Sequence, residues 1–127
     1  MNTIETADMW VELSNEGDLE GLSKVTANEL EIVGPKGTGV IDHKELGEWL
    51  KRAKLKLVTI NRYAKDHFIV LEQQGTWLNP DDSIKGQGIV FTVFKIVDQN
   101  VTFLARYDNK QEAFDVSGLS DEAKITK

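Results

Sequence analysis

A chain of 127 residues, 40% apolar and 28% charged, is long enough for one domain with a buried core and has ordinary globular composition. It contains no cysteine, which excludes disulfides, thiolate metal sites and a cysteine nucleophile. The formal net charge of −6 argues against nucleic acid as a partner, and no apolar stretch approaches the length of a membrane span. The first residues lack a basic-then-apolar signal pattern, so a cytoplasmic protein is expected.

Asn2 and Glu5 have the spacing of a capping box that opens a first helix. Ile4, Ala7, Trp10, Val11 and Ser14 fall on one side of it. Met9 and Leu13 widen the apolar stripe, so the helix is expected to be well covered. Asn15-Glu16-Gly17 ends it, and Asp18 caps a short second helix over residues 19–25. Residues 27–33 read as a strand with Leu30, Ile32 and Gly34 on one face. Gly34-Pro35-Lys36-Gly37-Thr38-Gly39 reads as a connector. It matches no phosphate-loop pattern, and Asp42 sets a negative charge where a helix would otherwise draw an anion. Asp42 and Glu45 form a second capping box, after which Leu46, Trp49, Leu50 and Ala53 repeat at helical spacing.

Beyond residue 53 the period changes from 3.6 to 2. Residues 55–64 and 67–78 alternate as strands about a Lys65-Asp66 turn. That turn would set Arg62 opposite Ile69, Ile60 opposite Leu71 and Val58 opposite Gln73. Asn79-Pro80-Asp81-Asp82 turns the chain into a long strand, residues 84–97, with Gly86 and Gly88 marking a bulge. Its Val90, Thr92, Phe94 and Ile96 share one face, and Phe91, Val93 and Lys95 the other. Asp98-Gln99-Asn100 leads to residues 101–108, whose Phe103, Ala105 and Tyr107 point one way. Residues 1–116 then form the domain, and 117–127 a loose polar tail. Hairpin-linked strands with helices on one face make an α+β architecture.

Four motifs in this order carry a resemblance: Asn15-Glu16-Gly17-Asp18-Leu19-Glu20-Gly21, the strand to Gly34-Pro35, the segment ending in Trp49-Leu50, and Ala105-Arg106-Tyr107-Asp108-Asn109. Together they resemble the nuclear transport factor two-like superfold, which includes ketosteroid isomerases and SnoaL-like polyketide cyclases. The resemblance covers nearly the whole chain. It implies a cone-shaped α+β fold, in which a strongly curved, mostly antiparallel sheet has three N-terminal helices packed on one face. A deep apolar pocket and a homodimer are also implied. Ketosteroid isomerases need a carboxylate base at the end of the first strand, a tyrosine on the first helix and a second acid on a later strand. Matching through Gly17-Asp18-Leu19 puts these at Gly34, Trp10 and near Thr92. A glycine takes no proton, and an indole with a hydroxyl does not replace an acid–base pair, so isomerase activity is not expected. SnoaL-like cyclases carry an acid near Asp108, which makes it the candidate catalytic residue. Its plainer role is to cap the turn that follows the strand.

The pocket is expected between the helices carrying Trp10 and Trp49 and a sheet face carrying Ile32, Ile60, Leu71, Thr92 and Tyr107. Arg62 would either hold a ligand carboxylate there or snorkel to the rim. His43 and His67 are expected to be exposed and have no metal-ligand spacing, so no metal and no cofactor is expected. No serine sits in a nucleophile elbow. Outward-facing Phe68, Val70, Phe91 and Val93 would form an apolar patch buried in a homodimer. Three functions stay open: a binder of a hydrophobic small molecule; an isomerase, cyclase or hydrolase acting on a hydrophobic carbonyl, epoxide or polyketide-like compound; and a dimeric interaction module.

Overall fold

The structure, a computed structural model, describes residues 2–34 and 37–125, and the side chains of all of these except 34, 37, 38, 52 and 53. Asn2 opens α1 (Thr3–Glu16): its side chain accepts from the Glu5 amide, and the Glu5 carboxylate accepts from the Asn2 amide. Gly17, at φ 71°, ends the helix in the left-handed conformation that glycine adopts without strain. Asp18 then caps α2 (Leu19–Lys24) by accepting from the Gly21 amide. β1 (Thr26–Gly34), β2 (Gly37–Ile41) and α3 (His43–Ala53) follow. The remainder is β3 (Leu55–Lys65), β4 (Phe68–Leu78), β5 (Ile84–Val97), β6 (Asn100–Tyr107), α4 (Lys110–Ser117) and a 3-10 turn at Asp121–Ala123.

One six-stranded sheet runs in the order β2-β1-β6-β5-β4-β3. All neighbours are antiparallel except β1 and β6, which are parallel. β2 stands where the sequence suggested a connector. Its two glycines depress strand propensity, but pairing along β1, from Leu30 with Ile41 to Gly34 with Gly37, makes it a strand. Pro35 and Lys36 of that connector lie outside the described residues.

The β3–β4 turn is shifted by one residue from expectation. Lys65 pairs with Phe68, and Asp66 takes φ 56°, which aspartate tolerates better than lysine. Arg62 therefore faces Leu71 rather than Ile69. The register slips again between Thr59 and Asn61, so Ile60 leaves the ladder and is 49% exposed.

The helix-side core packs Ala7, Trp10, Val11, Leu22 and Leu46 against Leu30, Ile69, Leu71, Phe94 and Leu104. Trp10 stands edge-on to Phe94, with ring centroids 5.6 Å apart. Its Nε1 donates to Thr26 Oγ1 at 2.9 Å, so the indole is satisfied within the core. Met9, expected in the buried stripe of α1, is 39% exposed.

The opposite sheet face is also covered. Ala113 and Phe114 of α4, with Leu119, pack on Val70, Phe91, Val93 and Ala105. Phe114 stands edge-on to Tyr63 at 5.1 Å. The expected dimer patch is thus buried within the chain: Val70 and Val93 are inaccessible and Phe91 is 8% exposed. Phe68 keeps partial exposure and lies under the Lys95 ammonium, 5.8 Å from its ring centroid. Nor do residues 118–125 trail loosely. Leu119 is buried, Lys124 bridges to Tyr63, and the Ile125 amide donates to Arg62 O at 2.7 Å.

Two measurements test this packing. Phe114→Ala should cost about 3 kcal/mol in urea denaturation, and light scattering should show self-association through the uncovered face. A variant as stable and as monodisperse as the native protein would mean that α4 is not the cover. Burial raises Tyr63 above the ordinary 10.0, and burial with nearby Glu112 raises Tyr107. The folded state favours the neutral phenol, so this contribution is full below pH 10 and is lost as pH rises past it. Phenolate absorbance should therefore appear above pH 10 in the native protein and shift down to 10 in denaturant.

Candidate functional site

β6 lies between parallel β1 and antiparallel β5, and its register decides which side chains face the helices. Phe91 pairs with Tyr107, Thr92 with Arg106 and Phe94 with Leu104, after a slip between Lys95 and Ile96. Leu104 and Arg106 thus join Thr92 and Phe94 on the helix side, while Tyr107 shares the α4 side with Phe91.

A cavity of about 450 Å³ opens at this end of the sheet. Ile32, Val90, Leu104 and Arg106 form its floor, and Trp49 of α3 and Trp77 of β4 its sides. The lining continues through Val33 of β1 and Ala105 and Tyr107 of β6 to the exposed Asp108 and Glu112 at the mouth. α3 is held where Trp49 can reach. The Asp42–Glu45 capping box starts it, and His43 Nε2 lies 3.1 and 3.0 Å from the Thr26 and Ala27 carbonyl oxygens. His43 is thereby partly buried rather than exposed, whereas His67 is exposed beside Ile96 O.

Arg106 is the charged residue of the cavity floor. Its guanidinium carbon lies 5.8 Å from the Trp49 ring centroid, within cation–π range. Its Nε donates to Thr92 Oγ1 at a long 3.4 Å. Thr92 in turn donates to Gln73 Oε1 at 2.7 Å, and Gln73 Nε2 donates to Thr59 Oγ1 at 3.2 Å. A polar chain therefore crosses the buried sheet face and ends at the cavity. Arg106 keeps some accessible surface because the cavity opens onto it, yet burial among apolar groups pulls its pKa from 12.5 down to about 10. It stays charged at neutral pH. Among the described residues no carboxylate pairs with it; the ion pairs are Lys54–Asp82, Arg62–Asp8 and Lys110–Asp121.

The residues singled out from sequence divide accordingly. Ile32, Trp49, Tyr107 and Asp108 line the cavity. Trp10, Leu71 and Thr92 are buried in the core instead, and Ile60 points to solvent. Arg62 is not in the cavity: its Nε lies 3.0 Å from both carboxylate oxygens of Asp8, at a separate recess lined by Asn2 and Ile4. Asp108 is exposed at the mouth and is not the cap of the next helix. Asn109 is, accepting from the Gln111 and Glu112 amides. Trp10 and Thr92, at the positions matched to isomerase catalytic groups, are both engaged in core hydrogen bonds. Sequence reasoning missed Arg106 and Leu104. The signal for Arg106 was the Thr92 face of β5, read across the hairpin once the slip at Lys95 is allowed for. Among the described residues no group of three His, Asp or Glu side chains could hold a metal ion. Among them, too, no helix is long and apolar enough to cross a membrane.

No protein-family model and no curated protein sequence matches the chain. Solved structures do. A nuclear transport factor two-like protein of unknown function from Cytophaga hutchinsonii superposes with a TM-score of 0.71 at 12% identity, over 90% of this chain and 96% of that one. The chain has the nuclear transport factor two-like fold. A candidate polyketide cyclase from Xanthomonas campestris aligns with a TM-score of 0.69 at 18% identity, over 87% of this chain and 92% of that one. TerC, co-crystallised with polyporic acid, aligns with a TM-score of 0.71 at 15% identity, over 91% and 96%. At these identities the likeness is one of fold, and the fold hosts many functions.

An unpaired, desolvated cation costs stability that an apolar chain of similar length does not. Arg106→Met should therefore unfold at the same urea concentration as the native protein or higher, with a gain of up to about 1 kcal/mol after loss of the Trp49 contact. A loss of more than about 1 kcal/mol would show that the guanidinium serves the fold itself.

Proposed function

We propose that the chain binds a small hydrophobic molecule in the Arg106 cavity. The observation that carries this reading is a roughly 450 Å³ space walled by Ile32, Trp49, Trp77, Val90 and Leu104. That volume lies in the usual range of about 300–1,000 Å³ for ligand sites, which pair apolar walls with a few polar groups. TerC, of the same fold, was co-crystallised with polyporic acid, which supports the reading. An enzymatic role, as isomerase, cyclase or hydrolase on a hydrophobic carbonyl compound, draws support from Asp108 at the mouth and from Tyr107, whose phenol stays protonated and can donate. Asp108 is exposed and has no orienting hydrogen bond among the described residues, so binding is the better supported function. The interaction-module reading loses its surface to α4.

Nile red, a neutral dye that brightens in apolar surroundings, tests the cavity. Titration should saturate at one dye per chain with a dissociation constant on the order of micromolar. Ile32→Trp, which fills the floor, should weaken binding by about tenfold or more, equivalent to about 1.4 kcal/mol. Dye binding that does not saturate, or that ignores this substitution, would remove the cavity as the site.

A further inference from the structure

We infer that the ligand is an acid, an apolar body carrying a carboxylate or similarly delocalised oxyanion that docks against Arg106. This deepens the pocket reading and rests on it. The guanidinium is already positioned on two sides: Trp49 supports one, and Thr92 Oγ1 accepts from Nε. Its two terminal nitrogens make no hydrogen bond among the described residues, and the side chain forms part of the cavity floor. That leaves free the edge of the guanidinium fork that receives a carboxylate through parallel hydrogen bonds. The apolar walls strengthen the attraction, because the cation has already lost much of its water on folding.

The other charges at the cavity agree with this orientation. Asp108 and Glu112 sit at the mouth, both exposed. They disfavour an anionic head at the entrance but, screened by solvent, weaken its binding at the floor only slightly. An acid therefore binds head inward, with its apolar body against Trp77 and Val90. A neutral ligand of the same shape leaves the guanidinium unpaired and binds less well. Arg62, paired with Asp8 at its own recess, cannot substitute.

Pyrenebutyrate and its uncharged carboxamide test this against the native protein, Arg106→Lys and Arg106→Met, with Nile red as the neutral control and thermal melts to confirm folding. The native protein should bind the carboxylate at least tenfold more tightly than the amide. Arg106→Lys should keep part of that preference, and Arg106→Met should abolish it. On the native protein alone, carbon-13 NMR of carboxyl-labelled pyrenebutyrate should show a bound carboxyl pKa below the free value. The NMR titration needs no variant, so it decides between acid and neutral ligand even where a substitution prevents folding. Nile red binding with no preference between the pyrene compounds, including binding of neither, overturns the acid inference and leaves the pocket standing. So does a preference that survives Arg106→Met, or an unshifted carboxyl pKa. Failure to bind Nile red or either pyrene compound removes the pocket reading and the inference with it.

Discussion

The register of β6 is the constraint on which the rest depends. This strand is paired on both sides, parallel to β1 and antiparallel to β5, so its side chains are sorted between two buried faces with little freedom. Slipping it by one residue would exchange Arg106 for Tyr107 on the helix side. It would put Ala105 opposite Thr92 and the Tyr107 phenol opposite Val90, and drive the guanidinium opposite Phe91 on the face that α4 covers, where burial would cost it its water. The bulge between Lys95 and Ile96 prevents this by absorbing one residue before the core pairing begins. A local irregularity at the far end of the hairpin thus determines the chemistry of the cavity.

That chemistry is prepared by the polar chain Thr59–Gln73–Thr92–Arg106. Gln73 and Thr92 are wholly buried, and each has a partner within the chain. Neutral groups of this kind are tolerated in a core when satisfied, and they hold one another's rotamers. The last donor, Arg106, is oriented without being neutralised. Its hydrogen-bond partner among the described residues, Thr92, is a neutral hydroxyl; a carboxylate there would have paired the charge. Arg62 shows that alternative: Asp8 accepts its Nε on both oxygens, and the recess around it holds a neutralised pair. Two arginines on one sheet face thus have opposite consequences because of a single neighbour each.

Much of the fold was legible because its signals are local. The capping boxes at Asn2 and Asp42, the Asp18 cap and the glycine stop at Gly17 are all present where the residue pattern places them. The faces of β5 follow from alternation, with Val90, Thr92, Phe94 and Ile96 on the helix side. The candidate site was legible only in part, since Ile32, Trp49, Tyr107 and Asp108 do reach the cavity. Its charged centre was not, because register depends on bulges and turn dihedrals that periodicity cannot report. The positive φ of Asp66 and the slip at Ile60 displace every partner expected along β3. α4 was missed although Asn109, Glu112 and Gly118 mark its ends; too few of its residues are apolar for a stripe to stand out.

α4 also resolves the difficulty posed by a sheet that is apolar on both faces. With helices on one side only, Val70, Phe91 and Val93 would need a second copy of the chain to cover them. Phe114 and Ala113 supply the cover from within, Leu119 and Ala123 pack beside them, and the Ile125 amide fastens the segment to Arg62 O of β3. The same helix begins just after Tyr107 leaves the sheet, so its first turn delivers Glu112 to the cavity mouth. Closing the outer face and shaping the entrance are therefore one structural event. A change that loosens α4 acts on both the outer face and the entrance, whereas a change at Trp49 or Thr92 acts on the cavity and the helix-side core and leaves the α4 cover in place. That separation allows the cover and the cavity at this end of the sheet to be probed independently.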